Sequence, residues 1–279
     1  MRKILFTTAI ISLLFASCDK ERSNKEIAKL PSKIASAMSV WSFNDIPENW
    51  EPNSFDTTIY QYDNLNRLTK IISGNDTIEI IYNRNENNPI KTMRGREVEY
   101  TFEYSHNQVT IYSNNLSYEH EIKIVLTIDA NGRITKEQRY NWYNDHYFSP
   151  IINYSYNSNG NLIGLVPEGG FYEETHSFIY SNILSIWRDA NVPDWFMYWY
   201  GIGSKKGYML SEHEWEQRDR SSITERPPYP LFGSVKYTYE LDTNGHVSQA
   251  NNEVAMGDPG TGRAVKYKRK ITYEYIDAK

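Results

Sequence analysis

Aromatic and polar residues alternate along most of this chain, and each alternating run leads into a short polar turn and then an aliphatic run. The pattern is clearest at Tyr60-Gln61-Tyr62-Asp63-Asn64-Leu65-Asn66-Arg67-Leu68. It returns at Thr127–Ile134, Tyr154–Leu162 and Tyr237–Val247. Period-two alternation into residues that tolerate positive φ, followed by a second apolar run, specifies a β-hairpin. Asn131-Gly132, Asn159-Gly160 and Asn244-Gly245 supply that tolerance. Anchors at Tyr62, Tyr82, Tyr104, Ile128, Tyr156 and Tyr180 recur at the spacing of stacked supersecondary units.

Strands are predicted near residues 55–63, 67–73, 77–83, 89–93, 97–105, 108–113, 118–129, 133–143, 151–157 and 161–166. They continue at 176–181, 183–187, 209–217, 233–241, 246–254 and 265–276. Residues 33–43 fit either a strand or a short helix. Residues 192–201 are the one plausible helix, although Asp194–Tyr200 reads equally as a buried strand. Val235, Tyr237, Tyr239 and Leu241 share one strand face, with Lys236, Thr238 and Glu240 opposite. Ile271, Tyr273 and Tyr275 are likewise set against Lys268, Lys270, Thr272 and Glu274. The expected fold class is all-β: an antiparallel meander of hairpins with little helix.

Composition narrows this to a sheet with one wet face. Hydrophobic content of 39% and mean hydropathy of −0.66 are low for 279 residues, while 23 tyrosines raise the aromatic share. A thin core of rings follows. The net charge of −5 argues against nucleic acid as a partner.

The start of the chain reads as an export signal. Arg2 and Lys3 precede the apolar run 4–15, and Ala16 and Ser17 lead to Cys18, the only cysteine. That run is shorter than the ~20 residues a spanning helix needs. Leu14-Phe15-Ala16-Ser17-Cys18 resembles a lipobox, with Phe15 departing from the usual aliphatic residue; an incidental thiol in an ordinary secretory signal is the alternative. The division expected is a signal peptide at 1–17, a lipidated N-terminus and tether at 18–32, and one β domain at 33–279. Asp19-Lys20-Glu21 resembles the acidic export tag of surface lipoproteins, or is a solvated linker.

Tyr60–Ile71 resembles the tyrosine-aspartate (YD) repeat of Rhs-type surface proteins. The whole layout is similar to a Bacteroidetes lipoprotein family of unknown function built from degenerate repeats of this kind. That resemblance implies a large, strongly curved, porin-like sheet, open or partly closed into a barrel. Asp63 and Arg67 survive in the first unit and Asp129 and Arg133 in the fourth; elsewhere Asn, Ser or His stands in their place. The family implies lipid attachment at Cys18 and brings no catalytic residues.

Reactive constellations are sparse. The six histidines are scattered singly, and no pair has the spacing of a zinc helix. Glu212-His213-Glu214 is the densest ligand-like cluster, but in a strand its carboxylates and imidazole point to opposite faces. Glu173-Glu174 and the Asp189/Asp194 neighbourhood are carboxylate pairs of a kind expected by chance on an acidic chain. Gly201-Ile202-Gly203 lacks the rest of a dinucleotide fingerprint. Trp187, Trp195, Trp199 and Trp215 concentrate four of seven tryptophans in one segment. They are the candidate ligand contacts, either as exposed stacking platforms or as core anchors.

The expected function is that of a non-enzymatic outer-membrane lipoprotein, facing the periplasm or the cell surface. It binds or scaffolds through its sheet, with no cofactor and no metal. Its partners are the membrane, through the anchor, and a glycan or another envelope protein. A glycan-binding accessory to nutrient uptake is the alternative, and an unrecognised hydrolase a third reading.

Overall fold

The computed structural model describes residues 28–42, 51–113, 122–141, 146–147, 151–168, 172–203, 207–219, 231–258 and 263–279. The signal segment, Cys18 and the first part of the tether lie outside these residues. Strands follow in chain order: β1 (Lys29–Ser42), β2 (Ser54–Tyr62), β3 (Leu68–Ser73), β4 (Asp76–Tyr82), β5 (Pro89–Arg94) and β6 (Glu97–Ser105). Then come β7 (Gln108–Ser113), β8 (Ile122–Ile128), β9 (Ile134–Asn141), β10 (His146–Tyr147), β11 (Ile151–Tyr156) and β12 (Leu162–Glu168). After β13 (Tyr172–Leu184) the chain forms the single described helix, α1 (Asp194–Trp199). It finishes with β14 (Tyr208–Asp219), β15 (Leu231–Leu241), β16 (Val247–Asp258) and β17 (Arg263–Asp277).

The order in space is the order in sequence. Each strand from β2 to β8 pairs antiparallel with its successor. β9 passes to β11, with the short β10 also on β9. β11 to β17 continue the meander. β1 then pairs with β17 on one side and β2 on the other. The sheet therefore closes on itself as a barrel, and closure removes the unpaired edges an open meander would expose.

Period-two alternation sorts the two faces as the sequence suggests. Ile71, Ile80, Phe102, Ile111, Leu126, Ile134 and Val247 are buried inside. Outside, lysines and glutamates sit opposite one another across neighbouring strands: Lys33 with Glu274 (2.6 Å), Lys70 with Glu79 (2.9 Å), Lys236 with Glu212 (3.0 Å) and Lys268 with Glu253 (2.8 Å). These pairs put opposed charges on the outer wall, beside exposed apolar side chains such as Phe55, Ile163, Val166 and Ile179. A lipid-facing wall needs an apolar band about 25 Å tall.

The repeat tyrosines latch one hairpin to the next from the inner face. The hydroxyl of Tyr62 donates to the Pro31 carbonyl, Tyr82 to Leu68, Tyr156 to Ile134, Tyr180 to Leu162 and Tyr275 to Val247, each at 2.8 Å. Tyr104 does the same to Pro89 at 2.5 Å. Burial pushes these phenols up, Tyr180 to about 12. A tyrosine every unit is thus a structural requirement: the ring fills the core and its one polar atom satisfies a neighbouring backbone carbonyl.

Three details depart from the sequence reading. β1 is a strand and begins at Lys29, so the end of the stretch 18–32 assigned to the tether already belongs to the barrel. The strand expected at 183–187 ends at Leu184, where the chain leaves the wall and turns inward. Of the two readings for residues 192–201, the helix forms.

Candidate functional site

Four hairpins share one turn. Asp63, Asp129, Asn157 and Asp242 each accept the backbone N–H groups two and four residues on, at 2.8–3.0 Å. The fourth residue of each turn is left-handed: Asn66 at φ 59°, Gly132 at 79°, Gly160 at 86° and Gly245 at 83°. Only glycine or asparagine takes that conformation at low cost. The fifth residue differs from turn to turn, and it decides what each turn does.

In the first turn Arg67 is sealed. Its Nε donates to Asp63 at 2.7 Å, its Nη1 to the carbonyls of Asn83 (3.1 Å) and Glu86 (2.6 Å), and its guanidinium lies 4.7 Å from the Tyr82 ring centre. Arg133 repeats this with Asp129 (2.8 and 2.6 Å) and with the Tyr156 ring at 4.5 Å. Burial alone would raise the Asp63 and Asp129 carboxyls, but hydrogen bonds from the arginine and the backbone outweigh it and hold both below the usual carboxylate range. In the third turn Asn161 accepts the Tyr208 N–H at 2.8 Å. In the last turn the fifth residue is His246. Its side chain is 10% exposed, its Nδ1 lies 3.8 Å from Asp242, and its Nε2 is buried with no hydrogen-bond partner among the described residues.

Residues 185–203 form a plug inside the barrel. Trp187 packs edge-on against Tyr60 of β2 (4.9 Å), Trp195 and Phe196 against Phe102 of β6 (5.7 Å each), and Tyr198 against Tyr154 of β11 (5.7 Å). Contacts to three separate walls place the segment in the interior. Its backbone is tied to the turns, Asn191 N–H donating to the Asn66 carbonyl (2.9 Å) and Trp195 N–H to that of Gly132 (3.0 Å). The plug therefore closes the end of the barrel that carries the four turns.

This settles where the four tryptophans lie. Trp187 and Trp195 are each 3% exposed and belong to the core, the second of the two roles their clustering allowed. Trp199 is half-buried against Tyr100 and Phe102. Trp215 is remote from the plug on β14, its indole lying where a side chain on Gly233 would stand, 1.9 Å from that Cβ position. The four do not form one surface.

A cleft of about 250 Å³ opens beside the last turn. The end of β13, the first residues of the plug, the Leu241–Val247 hairpin and the start of β1 enclose it. Lys29, Arg188, Asp189 and His246 supply its charged and titratable lining, and Ile186 and Val247 part of its apolar wall. Asp189 already accepts the Lys29 N–H at 2.9 Å and lies 3.8 Å from Arg188 Nε. Lys29 Nζ pairs with Asp277.

Sequence reasoning treated the histidines as isolated, yet the β13–β14 register brings His176 Nδ1 to 3.1 Å from His213 Nε2, with Phe178 stacked 4.5 Å from His213. Burial and the neighbouring imidazole hold His213 below its ordinary value. Glu212 bonds Lys236 outside while His213 faces inward, the separation expected for that cluster. Two interior carboxylates are each held by an arginine and a tyrosine: Glu99 by Arg94 (2.8 Å) and Tyr200 (2.6 Å), Glu137 by Arg139 (2.6 Å) and Tyr154 (2.8 Å). Such satisfied pairs are structural groups. No cluster of three or more potential metal ligands occurs among the described residues. Cys18 and the side chains of Glu173 and Glu174 lie outside the described set.

No family model and no curated protein matches this chain. Among solved structures it is similar to a porin-like protein from Bacteroides uniformis, at 16% identity over 88% of this chain and 98% of that one, with a TM-score of 0.41. It is also similar to a porin-like protein from Bacteroides vulgatus, at 10% identity over 88% and 99% of the two chains, with a TM-score of 0.33.

Proposed function

We propose that this chain is an envelope lipoprotein held to the outer membrane through Cys18, and that its barrel acts as a water-exposed binding or scaffolding body and not as a pore or an enzyme. The observation that carries the reading is the inversion of a membrane barrel: rings and a plug inside, opposed Lys–Glu pairs outside. A wall of that kind gains nothing from lipid, so membrane attachment needs a separate device. Acyl chains on Cys18 provide one, each buried methylene contributing about 0.8 kcal/mol.

Cell fractionation tests this. The parent chain partitions with membranes and is released by detergent, whereas Cys18→Ala is recovered in the soluble fraction. Membrane partitioning that survives the substitution would mean that the barrel itself holds the bilayer. A glycan-binding role is the second reading. It no longer draws on Trp187 or Trp195, which are enclosed, and so passes to the cleft beside His246.

A further inference from the structure

We infer that the plugged end of the barrel is its membrane-proximal face, set against the lipid headgroups of the leaflet that holds the acyl anchor, and that the interior opens on the opposite side. This orientation rests on the Cys18 anchor and goes beyond it by giving the barrel a direction. The chain enters the barrel at the plugged end. The Lys29 N–H donates to Asp189 of the plug at 2.9 Å, the Tyr62 hydroxyl to the Pro31 carbonyl at 2.8 Å, and the Ala278 N–H to the Ala28 carbonyl at 2.9 Å. Lys279 is held at the same place, its N–H donating to Asn66 Oδ1 in the first turn at 2.9 Å. The start of β1 therefore belongs to the end that carries the plug and the four capped turns, and Ser42 to the other.

Chain length decides between the two ways of standing on a membrane. Ten positions separate Cys18 from Ala28, and such a stretch spans at most about 36 Å when fully extended. The 14 residues of β1 run about 45 Å along the strand, roughly 35 Å of height at the tilt usual in barrels. With the plugged end toward the bilayer, compact and extended tethers alike satisfy the anchor. With the mouth toward it, the tether must be stretched to its limit along the wall, which removes nearly all of its conformational freedom. The two ends also differ in access. The plug seals the near end, whereas inward side chains close to the far rim stay open to water, Arg94 at 52% and Arg139 at 46% of their side-chain surface. A ligand or partner thus reaches the interior from the side away from the bilayer.

The test compares the distance of the two ends from the bilayer. Cys18 is the only cysteine, and acylation blocks its thiol, so a cysteine introduced elsewhere takes a fluorophore selectively. Asn159 and Asn244 are exposed in turns of the plugged end, and Asn75 and Arg96 in hairpins of the far end. Asn159→Cys, Asn244→Cys, Asn75→Cys and Arg96→Cys are each labelled in the full lipidated chain. They are then reconstituted into phosphatidylethanolamine–phosphatidylglycerol vesicles that carry a rhodamine acceptor on the headgroup. Energy transfer from both plugged-end positions should exceed that from both far-end positions by roughly twofold or more. Equal transfer would mean that the barrel lies on its side, and the reverse order that it stands on its mouth; either result overturns the orientation and leaves the anchor intact. A parent chain whose own thiol takes the label, or that does not float with the vesicles, overturns the anchor, and the orientation falls with it.

Discussion

The turn at Asp63–Arg67 and the turn at Asp242–His246 have the same backbone, the same capping carboxylate and the same left-handed fourth residue. They differ in how the fifth side chain is used. Arg67 spends its donors on Asp63 and two carbonyls of the next hairpin and covers Tyr82, so that junction is closed. His246 is too short to reach an equivalent set; its ring stops 5.6 Å from that of Tyr275, and a cleft remains. One repeat is thus both a structural rivet and, where the rivet is missing, a cavity. In a degenerate repeat, the unit that departs from the pattern is the place to look for a site.

The largest effect should come from breaking the rivet itself. Arg67 is 8% exposed, and Arg67→Met leaves two carbonyls unmatched and Asp63 with only its backbone donors; the loss should be about 3 kcal/mol. Arg133→Met should cost less, about 2 kcal/mol, because Arg133 serves Asp129 and one ring. Urea unfolding of both variants measures the difference, and equal losses would mean that the carbonyl bonds of Arg67 contribute nothing. The same contrast has a pH signature. A carboxyl held below its unfolded value stabilises the fold above that value, about 3.9, and the contribution disappears as pH falls through the folded value. Asp63→Asn and Asp129→Asn should therefore flatten the acid limb of the stability curve more than Asp242→Asn, whose carboxyl is more exposed and lacks an arginine.

The shared fourth position gives a smaller effect. A Cβ at Gly132 or Gly245 would meet nothing within 4 Å, so Gly132→Ala and Gly245→Ala report only the left-handed strain, about 1–2 kcal/mol each. Asn66→Gly should change stability by less than about 1 kcal/mol, since asparagine already tolerates that conformation. A Gly245→Ala cost well below that of Gly132→Ala, measured by thermal unfolding, would show that the histidine turn is looser than its hydrogen bonds imply.

How much of this could be read from the sequence depends on distance along the chain. The hairpins were legible because alternation and Asn-Gly pairs are local, and Asp63 and Arg67 are only four positions apart. The polar outer wall was legible for the same reason, since Lys268 and Glu274 declare their face by parity. Closure was not: it pairs Lys29 with Asp277 across 248 positions, and no local pattern encodes that register. The plug was ambiguous because Trp195, Phe196 and Met197 are all buried, and a segment enclosed on every side shows neither helical nor strand periodicity. The cleft was invisible because it forms where the start of β1, the plug and the last hairpin meet, three segments far apart in sequence.

The smallest expected effect is the most direct test of the comparison. His246→Arg restores at the last turn the residue that seals the first. If the repeat geometry transfers, the new guanidinium reaches Asp242 and stacks on Tyr275, as Arg67 does with Asp63 and Tyr82. Asp242 is more exposed than Asp63, 37% against 25%, so the gain in stability should be at most about 1 kcal/mol. A double-mutant cycle with Asp242→Ala isolates the pair, with an expected coupling of a few tenths of a kcal/mol up to that limit. A destabilising His246→Arg would show instead that the walls of this cleft have closed in around the smaller imidazole, in which case the arginine seal and the histidine cleft are two different packings and not one turn with its rivet removed.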